Sequence, residues 1–94
     1  MSLETTKYDA ADYLDSPEMV EAYLDAAFET NDAQVISASL GNIARAKGMS
    51  SIAAETGLSR ASLYKALGEN GNPELSTILK VMGAVGLSLK PQSV

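Results

Sequence analysis

Residues 49–68 read MSSIAAETGLSRASLYKALG, and the spacing of small, apolar and glycine positions in that stretch predicts a helix-turn-helix. Ile52 and Ala53 fall on the inner side of a short first helix. Ala53 stands where the two helices approach most closely, so a larger side chain there would push them apart. Gly57 supplies the positive φ that a helix stop adopts at no steric cost. Leu58 plugs the turn, and Ser59 caps a second helix by accepting a hydrogen bond from a free backbone N–H. Leu63, Ala66 and Leu67 then return to the core at helical spacing. Two helices joined by a turn of about 3–4 residues form the unit whose second helix lies in the major groove of DNA. An ordinary corner in a helical bundle has the same geometry, so the outer face of the second helix has to separate the two.

That outer face carries Arg60, Ala61, Tyr64 and Lys65, at i, i+1, i+4 and i+5. Arginine grips guanine bidentately, lysine reaches a guanine or a phosphate, and alanine touches a thymine methyl. Ser59 and Ser62 stand near the helix N-terminus, where hydroxyls and backbone N–H groups meet phosphates. Arg45 and Lys47 directly precede the motif, placed to touch the DNA backbone. These eight residues are the candidate DNA contacts, against the alternative of a solvated face with ordinary surface charges.

Outward from the motif the chain reads as all-α. Residues 4–15 are polar with a few apolar anchors and predict an extended arm ending in one helical turn. Ser16-Pro17 opens a helix, with serine at the cap, proline at the first position and Glu18 at the positive end of the dipole. Met19, Val20, Tyr23, Leu24, Ala27 and Phe28 form its apolar stripe. Asp32 caps the next helix, about 33–47, in which Val35, Ile36, Leu40, Ile43 and Ala44 point inward before Gly48 stops it. After the loop at 68–72, Asn72 and Pro73 are expected to start the last helix, with Leu75, Ile78, Leu79, Met82 and Val85 inward. The tail from Leu87 alternates Leu87 and Leu89 with Ser88 and Lys90, a short strand-like pattern suited to pair across a dimer or lie on the core. The expected organisation is an acidic arm and helix at 1–30 extending a DNA-binding domain at 31–94.

Composition removes several function classes. Cysteine and histidine are both absent, so no thiolate or imidazole is available as nucleophile, general base or metal ligand. Asp9, Asp12 and Asp15 lack the glycine and terminal glutamate of a calcium loop. An enzyme, a metal site and a cofactor are therefore not expected. No apolar run approaches the ~20 residues of a membrane span and no signal-peptide pattern is visible, so the expected location is cytoplasmic. The net charge of −5 divides unevenly along the chain. Residues 1–44 hold nine acids against Lys7, net −8, whereas residues 45–94 hold six bases against Glu55, Glu69 and Glu74, net +3. Such asymmetry suggests two partners of opposite charge.

Helices at 33–47, 49–56, 59–67 and 73–85 with this internal spacing resemble the DNA-binding domain of the Cro/C1 repressor (Xre) family, lambda-repressor-like in fold. A closer resemblance runs through about residues 8–91. YDAADYLDSPEMVEAYLDAAFE, IARAKGMS, ETGLSRASLYKAL and GNPE-x-x-T-x-LKV are similar to addiction-module antidote proteins, HigA-like antitoxins with a Cro/C1-type domain. The resemblance implies an antitoxin of a type II toxin–antitoxin module. Such a protein neutralises a small basic RelE-like toxin, is commonly dimeric, and represses its own operon by binding double-stranded operator DNA. It also implies base-reading roles for Arg60, Ala61 and Lys65, with Tyr64 beside them. The alternative is a stand-alone prophage-type repressor without a toxin, for which an acidic extension at 8–30 would be superfluous. A purely structural dimerisation module is a third reading. Residues 8–29 carry seven acids and no cation, suited to a cationic toxin surface. Tyr8, Asp9, Asp12, Tyr13 and Leu14 are the candidate toxin contacts, and Leu87 and Leu89 the candidate homodimer contacts.

Overall fold

Ser16 and Pro17 open the first helix of the structure, a computed structural model that describes residues 10–94. Before it, Ala10–Tyr13 make one 3-10 turn. Helix α1 spans Pro17–Glu29, with the Ser16 hydroxyl accepting the Met19 N–H at 3.2 Å. Helix α2, Ala33–Lys47, begins where the Asp32 carboxylate accepts the Gln34 and Val35 N–H groups. Helices α3 (Met49–Thr56), α4 (Arg60–Ala66) and α5 (Leu75–Ala84) follow. Both caps and the first four helix positions agree with the sequence pattern.

Helix α2 is the hub, in contact with the 3-10 turn and with α1, α3, α4 and α5. Leu40, Ile43, Ile52, Leu63 and Val81 are the largest fully buried side chains, each worth about 1.5–3 kcal/mol of burial. Leu14, Leu24 and Ala27 join the same cluster from the N-terminal side. A polar stitch accompanies the apolar one: the Ser37 hydroxyl donates to the Ala66 carbonyl, 3.3 Å away, tying α2 to the end of α4. Gly71 then passes so close to that carbonyl that a Cβ would lie 2.0 Å from its oxygen. Only glycine lets the loop cross there, and Gln34 holds the loop further through the Gly71 carbonyl.

Several inward assignments are corrected. Met19 and Val35 are exposed, at 45% and 38%. Each stands five positions before a buried leucine (Leu24, Leu40), roughly 140° round its helix at 3.6 residues per turn, and so faces away from the core. The last helix starts at Leu75, two residues later than Asn72-Pro73 predicts, with Glu74 extended and making no side-chain cap. Its buried face is Val81, Met82 and Ala84, with Ile78 and Val85 packed beside them, whereas Leu75 and Leu79 are 63% and 46% exposed. Ser76, Thr77 and Lys80 mark the polar side of α5, but its apolar stripe is broad, and packing on α2 and α3 turns the stripe so that Leu75 and Leu79 at one edge stay in solvent. In the tail, the Leu87 N–H reaches back to the Met82 carbonyl and the Leu87 side chain packs on the core, one of the two places expected for it, while residues 88–94 carry no strand within the single chain.

Candidate functional site

The turn between α3 and α4 is built as its residues require. Gly57 takes φ +78° and donates to the Ala53 carbonyl at 2.9 Å. Thr56, which the sequence reading passed over, stitches the corner. Its hydroxyl donates to the Ile52 carbonyl at 2.8 Å and accepts the Leu58 N–H at 3.3 Å. A side chain that both donates and accepts next to a helix-stopping glycine was the available signal. Leu58 packs half-buried on the core, and the Ser59 hydroxyl accepts the Ser62 N–H at 3.0 Å. The two serine hydroxyls lie 2.9 Å apart, so Ser59 serves first as the cap of α4.

With Leu63 and Leu67 buried, the opposite face of α4 presents Arg60, Ala61, Tyr64 and Lys65, all exposed, flanked by exposed Ser59 and Ser62. The Arg60 guanidinium lies 5.9 Å from the centre of the Tyr64 ring, within cation–π range. Arg45 donates to the Asn42 side-chain oxygen, and Asn42 in turn donates to the Tyr23 hydroxyl at 2.9 Å. Arg45 and Tyr64 line one cleft of about 290 Å³ together with Glu69, which brings the end of α2 to the edge of the α4 face. Lys47 lies apart from that cleft. Its ammonium donates to the Ala84 carbonyl at the end of α5 and pairs with Glu55 at 3.5 Å.

Of the N-terminal candidates, Tyr8 and Asp9 lie outside the described residues, as does the Asp12 side chain. Tyr13 is 50% exposed, whereas Leu14 is buried in the core at 8% and is not presented to a partner. Its apolar side chain joins the core cluster, a place that the polar surrounding sequence concealed. Leu87 is half-buried on the same core, and Leu89 is 39% exposed. Among the described residues no helix is long and apolar enough to cross a membrane.

The structure thus defines an all-helical protein that exposes a short, cation-bearing helix after a glycine turn. The model of a family described as "probable addiction module antidote protein" matches residues 4–93, and the chain belongs to that family. An uncharacterized protein of Haemophilus influenzae (strain ATCC 51907 / DSM 11121 / KW20 / Rd) is 40% identical over 92 residues, which cover 98% of this chain and 95% of that protein. No solved structure matches. Membership in an antidote family implies a toxin as partner and a regulatory, non-enzymatic role.

Proposed function

We propose that this antidote is the antitoxin of a type II module that neutralises a small basic RelE-like toxin and represses its own operon through a Cro/C1-type helix-turn-helix. The observation that carries the DNA half is the exposed face of α4, with Arg60, Ala61, Tyr64 and Lys65 together and Arg45 at its edge. Bidentate arginine and lysine in the major groove read guanine, and the flanking hydroxyls and Arg45 meet phosphates. A homodimer through α5 places two such helices about one DNA turn apart on a two-fold related operator. The toxin half is supported by the acidic N-terminal segment, whose field speeds encounter with a cationic protein.

The test has two parts. A mobility-shift titration on the DNA upstream of the gene gives a discrete complex that competitor DNA does not displace. Coexpression with the small basic protein of the adjoining reading frame gives a copurifying complex that has lost its toxicity. Absence of any shift on upstream DNA overturns the repressor half; free, active toxin in the coexpression overturns the antitoxin half.

A further inference from the structure

A groove of about 820 Å³ runs between α1 and the C-terminal tail. Phe28, Leu87 and Leu89 give it an apolar lining, and Glu21, Asp25 and Glu29 form one wall. The three carboxylates are exposed and make no ion pair with any described residue. Residues of the tail from Ser88 to Val94, Lys90 among them, line the opposite side, in no regular secondary structure and with no backbone hydrogen bond to any described residue.

We propose that this groove is the toxin-docking site and that it takes a cationic extended segment, laid as a strand beside the tail. The inference rests on the antitoxin reading above and says where on the chain it is exercised. Carboxylates four positions apart on a helix step by roughly 6 Å. Side chains on one face of a strand step by roughly 6.6 Å. Lysines or arginines at alternate positions of a strand therefore meet Glu21, Asp25 and Glu29 in register. The same strand pairs with the tail by strand addition through free N–H and C=O groups such as those of Ser88, Lys90 and Gln92, Pro91 having no N–H to give, with its apolar positions over Phe28 and Leu89. A cationic helix would meet the acids but leave the tail backbone without partners. A second copy of this chain would set three acids against three, which like-charge repulsion disfavours.

Two probes test the proposal on the full-length chain. The first is a capped heptapeptide of alternating lysine and valine, followed by amide shifts and hydrogen exchange. The second is the basic protein encoded beside the gene. Both are expected to perturb the amides of residues 21–29 and to slow exchange in the tail at 88–92 by about tenfold or more, on alternate amides. The double variant E21K/D25K weakens both by about tenfold or more while operator binding and helicity stay unchanged. L89D acts in the same direction from the other wall. Protection by the toxin confined to other surfaces overturns the groove proposal and leaves the antitoxin reading standing. A lysine-bearing helical peptide that fills the groove without protecting the tail overturns the strand. Peptide binding in the groove with no toxin binding at all overturns the antitoxin reading itself.

Discussion

Arg60 and Tyr64 stand one turn apart on α4, with the guanidinium 5.9 Å from the ring centre, so a cation–π contact favours one orientation of the arginine. A pre-oriented arginine loses less freedom on gripping a guanine, so Arg60→Ala is expected to cost about 1–3 kcal/mol of operator affinity and relax one base preference. Tyr64→Ala loses the orientation of Arg60 together with the contact of the tyrosine itself, and is expected to cost less than Arg60→Ala. A mobility-shift titration against operator variants reads both; unchanged affinity for Arg60→Ala removes the α4 face from the interface. Glycines test the fold at the same scale. Gly71→Ala drives a methyl against the Ala66 carbonyl and is expected to cost about 1–3 kcal/mol in urea denaturation. Gly83→Ala meets nothing within 4 Å on an exposed helix face and is expected to raise stability by up to about 1 kcal/mol. The first of these roles was hidden in the sequence, which marks 68–72 as a turn but not the carbonyl it crosses. Gly57, whose demand is local, was legible at once.

Helix ends in this chain do more than stop. Lys47 closes α2 and, through the Ala84 carbonyl and Glu55, fastens the end of α5 to α3. Its side chain is 39% exposed, so the ion pair itself is screened, and the interaction with the helix terminus supplies most of the gain. Lys47→Ala is expected to lower stability by on the order of 1 kcal/mol, a fall of about 4–8 °C in Tm for a chain of this size. Arg45→Ala is expected to leave Tm nearly unchanged and instead to weaken binding to all DNA sequences and flatten the salt dependence. Calorimetry beside a salt titration separates the two residues, which the sequence places together as backbone contacts. The elements themselves were largely legible, because Ser16, Asp32, Gly57 and Ser59 act within one turn of their own position. What failed was set by distant partners: which edge of α5's broad apolar stripe turns onto α2 and α3, and the burial of Leu14.

At the scale of the whole molecule, the charge division matches the two proposed jobs. The basic half carries the candidate DNA face, and the acidic half is left for a cationic protein. The apolar surface divides likewise. Leu75 and Leu79 crown α5, whereas Leu89 edges the groove. If the proposed homodimer forms through α5, Leu79→Asp is expected to break it in light scattering, whereas Leu89→Asp, at a dimer contact expected from the sequence, is expected to leave it intact and weaken toxin binding. The N-terminal arm is the last piece, and the position of Leu14 dictates how it must be cut. Removing residues 1–15 would take out a side chain buried in the core at 8%, and a lost core leucine costs about 2–5 kcal/mol. Such a truncation confuses lost contacts with lost fold. Removing residues 1–9 keeps the 3-10 turn, Tyr13 and Leu14 while discarding Tyr8 and Asp9. This shorter deletion is expected to fold, bind the operator at full strength and neutralise toxin less well, because the groove acids on α1 remain but the arm's tyrosine and carboxylates are gone. Cell rescue beside a mobility shift measures the two activities on one protein. Undiminished rescue would exclude the arm from inhibition and leave the α1–tail groove to hold the toxin alone.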